Sequence, residues 1–475
     1  MLALLGRAVL AQPQPLPLHV TIAGNELPLH HFNQGSFGNF ELTAPVEVVI
    51  RADFNVRWVD LRPRSAGVTA TIDADHRTIR FRITTARPLT VEFNRDLARV
   101  LHLFPATPED DAPKPGDAKV RYFGPGIHDA GLMDLAEGET LYLAAGAWVK
   151  GNVRSIGTRS VSIRGRGVLD GTDIPNRPAT TSADRTVKPI PEDEPGARNM
   201  IYLQNVEGAA IKGITVFNSH YWTVFVRSCR NVHVDGVNVL SGSNHYGNDG
   251  FDLVSSSDVL VENVFVRTND DCVVVKNLDD IETKNIEVRR STFWNMPVGG
   301  NAIEVGFELR SRGASHLVFR DCDILHVERG SAISIHQGDS GTVEDVRFED
   351  IRVEDVRRKL IDFCVLYAQY GIDKPASQAE RERRMDPGGV WDGEQRLTPD
   401  EYRQRAAERG RIRNVQVRNL QVIEGALPYS IIAGYDDDHL VENVTIDGLS
   451  YLGQPLRSFE AAQLVVHDAK NVTIK

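Results

Sequence analysis

Short runs in which apolar and polar residues alternate recur along most of the chain. Eight similar segments, such as "VDGVNVLS" and "VENVFVRT", follow one another at offsets of 23, 27, 27, 31, 29, 69 and 29 residues. They begin at Ile211, Val234, Val261, Val288, Phe319, Phe348, Val417 and Ile446. Alternation of β-branched residues predicts strands, and a repeat of this length is typical of one turn of a solenoid.

Helical patterns are scarce between these segments, so each repeat must consist of several short strands joined by turns. A single coil of this kind cannot bury its inward valines and isoleucines. Coils stacked about 4.8 Å apart share one continuous core and pair their backbones with each other. The pattern therefore predicts an all-β chain built around a parallel β-helix.

The first hundred residues follow a different pattern. Runs such as "HVTIAG", "VEVVIRA" and "TIRFRI" are short alternating strands separated by turn residues, as in a small antiparallel β-sandwich. A stretch rich in proline and aspartate follows, and two polar insertions interrupt the later repeats. The predicted organisation is a tail or signal-peptide remnant at 1–18, a β-sandwich at 19–104, a linker at 105–119 and a β-helix at 120–475 with insertions at 172–197 and 367–410.

Composition narrows the classes of partner. A formal net charge of -11 disfavours a nucleic acid or an anionic membrane, because both are bound through clustered lysine and arginine. No segment approaches the roughly 20 apolar residues of a membrane span. The four cysteines lack metal-site spacing and are predicted to be packed free thiols. The N-terminal "MLALLGRAVLAQPQP" resembles a signal-peptide remnant, which predicts a secreted or periplasmic protein, with the cytoplasm as the alternative.

Two adjacent aspartates, Asp270 and Asp271, precede a Cys-Val-Val-Val run whose composition indicates burial. Asp249 lies 21 and 22 residues earlier, close to one turn of the solenoid, so it is expected to stack beside the pair. Two ionised carboxylates about 4 Å apart repel by about 4 kcal/mol at an effective dielectric of about 20. At least one pKa should therefore be raised, which supplies the acid and base that glycoside hydrolysis needs. The residues alone also allow exposed turn acids or a calcium site.

The segments "NSHYWTVFVRSCRNVHVDGVNV" and "GNDGFDLVSSSDVLVENVFVRTNDDCVVVKN" resemble the core of the glycoside hydrolase family 28 and family 49 clan, the polygalacturonases and dextranases. The resemblance covers roughly residues 161–335. It implies a right-handed parallel β-helix that hydrolyses its substrate with inversion by means of three aspartates. By their positions in the motif, Asp270 is expected to be the general acid, and Asp249 and Asp271 are expected to activate the water.

The chain departs from the family 28 pattern at two places. Asn301 stands where the family has a histidine, and Ser334-Ile335-His336 stands where an Arg-Ile-Lys segment binds a uronate carboxylate. Because a polyuronide site needs a cation there, the change favours a neutral sugar, or a uronate bound by other means. The candidate substrate-binding residues, each also compatible with an ordinary packing or surface role, are His245, Asn248, Asp252, Lys276, Asn301, Glu304 and His336.

The sequence thus predicts an inverting glycoside hydrolase that acts on a polysaccharide or oligosaccharide, pectin-related or a neutral glucan. The predicted partner is the carbohydrate substrate, and no cofactor, metal, nucleic acid or membrane is expected. Two alternatives stay open. They are a calcium-dependent polysaccharide lyase and a β-helix that binds carbohydrate without cleaving it.

Overall fold

The computed structural model describes residues 16–32, 35–174, 195–241, 247–368, 370–375, 377–384 and 398–475. The chain divides into two compact units, Met1–Glu109 and Asp110–Lys475. Among the described residues, no helix is long and apolar enough to cross a membrane.

The first unit contains two five-stranded sheets that share one apolar core. Its strands are β1 (Leu18–Ile22), β2 (Asn25–Glu26), β3 (His30–Phe32), β4 (Gly35–Glu41), β5 (Val46–Ala52), β6 (Val59–Arg62), β7 (Thr71–Ile72), β8 (Thr78–Ile83), β9 (Leu89–Phe93) and β10 (Val100–Ala106), with a 3-10 helix at Arg64–Ala66. The sheet orders are β2-β1-β5-β8-β7 and β3-β4-β10-β9-β6. Val48 and Ile50 of one sheet and Val91 and Leu103 of the other belong to the same core.

The prediction of an all-antiparallel sandwich needs one correction. The pair β4 and β10 is parallel, with Val100 opposite Gly35 and Ala106 opposite Glu41. These two strands are separated by more than fifty residues of sequence, so no hairpin turn constrains their direction. Alternation along a strand is the same in either direction, which is why the sequence pattern did not reveal it.

In its described residues the second unit is a solenoid of thirty strands, whose pairings are parallel except for that of the last short hairpin. They are β11 (Val120–Phe123), β12 (Gly126–Asp134), β13 (Thr140–Leu143), β14 (Ala147–Ile156), β15 (Arg159–Gly165), β16 (Val168–Asp170), β17 (Ile201–Gln204), β18 (Glu207–Lys212), β19 (Thr215–Phe217), β20 (Val224–Arg227), β21 (Arg230–Asp235), β22 (Asn238–Leu240), β23 (Phe251–Val254), β24 (Ser257–Glu262), β25 (Phe265–Thr268), β26 (Val273–Asn277), β27 (Thr283–Arg289), β28 (Thr292–Asn295), β29 (Ile303–Leu309), β30 (Ala314–Val327), β31 (Ser331–Gln337), β32 (Thr342–Val356), β33 (Lys359–Val365), β34 (Arg411–Val422), β35 (Tyr429–Ala433), β36 (Val441–Asp447), β37 (Ser450–Tyr451), β38 (Gln454–Pro455), β39 (Leu464–His467) and β40 (Ala469–Ile474).

Most strands of the solenoid pair with strands one coil before and one coil after, which produces three faces. Face 1 consists of β17, β20, β23, β26, β29, β31, β33, β35 and β39. Face 2 runs from β15 through β18, β21, β24 and β27 into β30, β32, β34, β36 and β40. Face 3 runs from β16 through β19, β22, β25 and β28 into β30, β32 and β34. This confirms the predicted parallel β-helix.

The sequence repeat corresponds to face 2. The starting residues of the eight segments are direct register partners from coil to coil, beginning with Ile211 opposite Val234 and ending with Val417 opposite Ile446. All eight belong to the continuous apolar core. The 69-residue offset passes through two helices, α1 (Gln378–Arg384) and α2 (Pro399–Glu408), and 175–194 of the first insertion lies outside the described residues. All four cysteines are free and buried, as predicted.

Candidate active site

The candidate site lies along the turns that lead into consecutive strands of face 1. Phe251 of β23 pairs with Val273 of β26, so the residues two positions earlier, Asp249 and Asp271, are neighbours on adjacent coils. The Gly250 N–H donates to the Asp271 carbonyl at 2.8 Å, which ties the two turns together. The predicted stacking of Asp249 beside the Asp270 and Asp271 pair is what this register produces.

The strands of face 1 present their polar residues away from the core. Inward positions such as Val273, Val275, Ile303 and Val305 belong to the apolar core. Successive strand residues point to opposite sides, so the residues between and after them project outwards. The outward set on this face is Asp252, Lys276, Glu304, Ser334, His336 and Asp362. All six of these residues are nonetheless buried.

The backbone around Asp270 holds its carboxylate in place. Oδ2 accepts a hydrogen bond from the Gly247 N–H at 2.7 Å, and Oδ1 accepts one from the Asp271 N–H at 3.2 Å. Its own carbonyl accepts from Thr268 Oγ1 and Asn295 Nδ2, both at 2.8 Å. The turn that carries the aspartate pair is therefore fixed from both sides.

Gly300 permits the next coil to approach this turn. Its φ is +74°, and a Cβ built there would lie 2.3 Å from the carbonyl carbon of Asp270 and 2.5 Å from the nitrogen of Asp271. A side chain at this position would push the two coils apart. The glycine is thus needed for both its left-handed conformation and its lack of a Cβ.

Lys276 is surrounded by carboxylates and an aromatic ring. Its Nζ lies 3.3 Å from Asp249 Oδ2, 3.1 Å from Asp252 Oδ1 and 3.9 Å from the centre of the Trp222 ring. Tyr221 stacks on Trp222 with ring centres 5.3 Å apart. Asp249 Oδ1 is buried and has no hydrogen-bond donor among the described residues. One oxygen of Asp249 is therefore held by an ammonium group, while the other is available to a water.

Asn301 connects the aspartates to a second polar group. Asp271 Oδ1 accepts from the Asn301 backbone N–H at 2.7 Å and from its Nδ2 at 3.1 Å. Nδ2 also lies 3.0 Å from Glu304 Oε2, and Asn301 Oδ1 accepts from the Ser331 N–H at 2.9 Å. Every polar atom of the Asn301 side chain is thus used within the protein.

His336 lies between two carboxylates. Its Nδ1 is 2.9 Å from Glu304 Oε2, and its Nε2 is 2.9 Å from Asp362 Oδ2. Each ring nitrogen is therefore within hydrogen-bond distance of a carboxyl oxygen. Ser334 Oγ donates to Glu304, and Lys359 forms an ion pair with Asp362. The imidazole is consequently engaged on both sides by the protein itself.

Burial controls the protonation of the aspartates. It raises the pKa of Asp249 and of Asp271 well above the ordinary carboxyl value, and the charges of Asp252 and of Asp270, respectively, raise them further. Burial also raises the pKa of Asp270, and it raises that of Asp252 to about 6. Burial alone would lower the pKa of Lys276, but Asp252 and Asp249 hold it above its usual range. The cluster therefore combines a charged lysine with four carboxyls whose pKa values are raised by burial.

The predicted site residues that the structure describes are close together in the fold. His245 lies outside the described residues, and the other nine lie on four consecutive coils that enter β23, β26, β29 and β31. Asn248 Oδ1 accepts from the Asn269 N–H at 3.1 Å, and its Nδ2 donates to Ser241, so its amide braces the turn.

Two residues of the same network were missed. Lys359 begins β33, and Asp362 lies within it. In the segment "LIDFCV", Asp362 stands between Ile361 and Phe363, whose side chains belong to the apolar core. That acid occupies the register position of Ser334, and Ser334 pairs with Glu304. Asp362 can therefore be recognised when the sequence is aligned on the strands of face 1 instead of those of face 2.

The chain matches Glycosyl hydrolases family 28 over residues 143–378. It is 26% identical over 151 residues to the probable endopolygalacturonase D of Neosartorya fischeri, a match that covers 31% of this chain and 27% of that protein. It is 28% identical over 154 residues to a probable polygalacturonase of Vitis vinifera, covering 31% of each. The chain thus aligns with about a third or less of the length of these curated relatives.

A solved structure shares the fold over nearly the whole chain. Dex49A from Penicillium minioluteum superposes with a TM-score of 0.64, covering 94% of this chain and 91% of that one at 14% identity. The resemblance predicted from the sequence is therefore confirmed, since the chain matches glycosyl hydrolases family 28 over residues 143–378 and shares its fold with Dex49A.

Proposed function

We propose that the protein is an inverting glycoside hydrolase of a polysaccharide or oligosaccharide in which Asp249, Asp270 and Asp271 perform the chemistry. The observation that carries the proposal is that three carboxyls with raised pKa values lie in adjacent turns of one face. Hydrolysis of a glycosidic bond requires a carboxylic acid that protonates the leaving oxygen and a carboxylate that deprotonates water. Burial raises the pKa values of all three carboxyls, which favours the protonated form that the general acid requires.

The division of roles follows the family resemblance and two local contacts. Asp270 is assigned as the acid by its position in the motif. Lys276 beside Asp249 favours the charged form of that carboxylate, and the two Asn301 N–H groups on Asp271 do the same there. Oδ1 of Asp249, which has no hydrogen-bond donor among the described residues, is the oxygen to which we assign the proton from water. Attack by that water on the face opposite the leaving group inverts the anomeric centre.

A calcium-dependent lyase is the second candidate, because Lys276 lies beside two acids and a lyase requires a basic residue to abstract a proton. Lys276 does not suit that role, since Asp252 and Asp249 hold its pKa above the usual range and keep it protonated. A lyase would also produce an unsaturated product with ultraviolet absorbance and would lose activity in chelator. We expect neither result.

The experiment is a reducing-sugar screen over polygalacturonate, rhamnogalacturonan, dextran, pullulan and arabinan. The Asp270→Asn variant serves as the blank, and Asp350→Asn, at an exposed position of β32 on another face, serves as the matched control. Loss of general acid catalysis should lower activity about 10²- to 10⁴-fold in Asp270→Asn and leave Asp350→Asn unchanged. Nuclear magnetic resonance of the first product should show the inverted anomer. Undiminished activity in Asp270→Asn would contradict the proposal, and ligand binding without product release would favour the non-catalytic alternative.

A further inference from the structure

We infer that the subsite at the cleaved bond takes a neutral sugar and excludes a uronate, an inference that rests on the proposed function. The described part of the site contains six carboxylates within consecutive coils, namely Asp249, Asp252, Asp270, Asp271, Glu304 and Asp362. All except the partly buried Asp270 are less than a tenth exposed. The six residues form a strongly acidic and largely buried cluster.

The cations of the same network are already bound by carboxylates. Lys276 contacts Asp249 and Asp252, and Lys359 forms an ion pair with Asp362. His336 uses one ring nitrogen for Glu304 and the other for Asp362. Even with the imidazole charged, these three cations face six carboxyls. Among the described residues of this network, carboxyl groups therefore outnumber cationic donors.

This chemistry fits sugar hydroxyls better than sugar carboxylates. A hydroxyl donates to a carboxylate oxygen, so neutral sugars can satisfy acceptors of this acidic network. A uronate would bring another negative charge into a buried acidic region and would need a cation in return. Providing one would require Lys276, Lys359 or His336 to leave its present partner, which would strand a buried carboxylate.

Arg198 is the residue most able to oppose this inference. Its guanidinium lies 4.3 Å from the centre of the Tyr221 ring, and Tyr221 stacks on the Trp222 ring that covers Lys276. Arg198 precedes β17, and three coils separate that strand from β26, which follows the aspartate pair. At about 4.8 Å for each coil, its backbone is about 14 Å away along the solenoid. Because its backbone lies outside the coils that carry the three aspartates, we assign Arg198 to a neighbouring subsite.

The test compares two substrates that differ in one group. Galacturonan and its carboxyl-reduced form share linkage and ring configuration, and dextran and pullulan extend the neutral set. We expect kcat/KM on the best neutral substrate to exceed that on galacturonan by about tenfold or more. Equal or higher kcat/KM on galacturonan would overturn the inference, and loss of that activity in Arg198→Ala would then identify the uronate anchor.

The Asp362→Asn variant tests whether the negative charge of the site causes the preference for a neutral sugar. It removes one negative charge with little change of shape and releases Lys359, so the ratio of galacturonan to neutral activity should rise about tenfold. Asp350→Asn should leave the ratio unchanged. Glu304→Gln is the second variant if Asp362→Asn does not fold. An unchanged ratio in a folded variant would overturn the charge argument.

A measurement of ligand binding distinguishes this inference from the proposed function. Calorimetry of the Asp270→Asn variant with trigalacturonate and with its carboxyl-reduced form reports preference without turnover. Tighter binding of the neutral form supports the inference even where no hydrolysis is seen. Tighter binding of trigalacturonate overturns it. Absence of hydrolysis by the unmodified protein on every substrate would count against the proposed function alone.

Discussion

The Nζ atom of Lys276 lies 3.3 Å from Oδ2 of Asp249, where both side chains are almost fully buried. Such a contact stabilises the charged carboxylate against the cost of burial. The lysine also pairs with Asp252, so one cation serves two acids. This relationship connects the stability of the coil with the protonation state of the proposed base.

Lys276→Met should therefore lower both stability and activity. Removing one partner of a buried ion pair costs about 3 to 5 kcal/mol, because a buried charge is left uncompensated. The pKa of Asp249 should rise further, so the acidic limb of the kcat/KM profile should move to higher pH. Lys276→Arg should preserve part of both properties. An unmoved acidic limb in Lys276→Met would show that this lysine does not influence the base.

Asn301→Ala should weaken the support of Asp271. The change removes the Nδ2 donor to Asp271 and Glu304 and leaves the Ser331 N–H without its acceptor. Loss of these buried hydrogen bonds should reduce the free energy of unfolding by about 1 to 3 kcal/mol, measured by chemical denaturation. Gln416→Ala, at an exposed strand position, should change it by less than about 0.5 kcal/mol. Equal effects of the two variants would contradict the structural role of Asn301.

Gly300→Ala tests the close approach of the coils at the aspartate pair. Gly453 has a similar φ of +77°, but a Cβ added to it would have nothing within 4 Å, so Gly453→Ala is the matched control. The control should lose about 1 to 2 kcal/mol from backbone conformation alone. Gly300→Ala should lose about 2 to 5 kcal/mol because overpacking against Asp270 is added, and its activity should fall. Thermal and chemical denaturation with the same assay measure both.

The pH dependence of stability should carry the signature of Asp252. Burial raises its folded pKa from 3.8 to about 6, so the folded state holds a proton that the unfolded state loses. The stabilisation from this group is present below about pH 4 and is lost as pH rises through about 6. The loss is on the order of 3 kcal/mol.

Denaturant unfolding at pH 4.5 and at pH 7.5 provides the measurement. The free energy of unfolding should decrease less between pH 4.5 and pH 7.5 in Asp252→Asn than in the unmodified protein. Asp279→Asn is the opposite control, because a hydrogen bond from Arg227 lowers the pKa of Asp279. In Asp279→Asn, the decrease in the free energy of unfolding between the two pH values should therefore be no smaller than in the unmodified protein. An identical decrease in Asp252→Asn would show that Asp252 is not the group responsible.

The solenoid and the position of the acids along it could be predicted from the order of residues alone. The alternating apolar residues of face 2 repeat with enough regularity that their first residues are register partners through eight coils. Core burial enforces that regularity, because a slip of one residue would turn the apolar positions outwards. The adjacent aspartates and Asp249 were evident for the same reason, since their separation approximates one coil.

Which charges meet could be learned only from the folded chain. The segments between the faces differ in length from coil to coil, so pairs such as Lys276 with Asp249, or His336 with Asp362, have no fixed sequence separation. Their pairing depends on strand register and on the reach of buried side chains. The parallel pairing of β4 with β10 likewise depends on how the sandwich closes, because alternation does not encode strand direction.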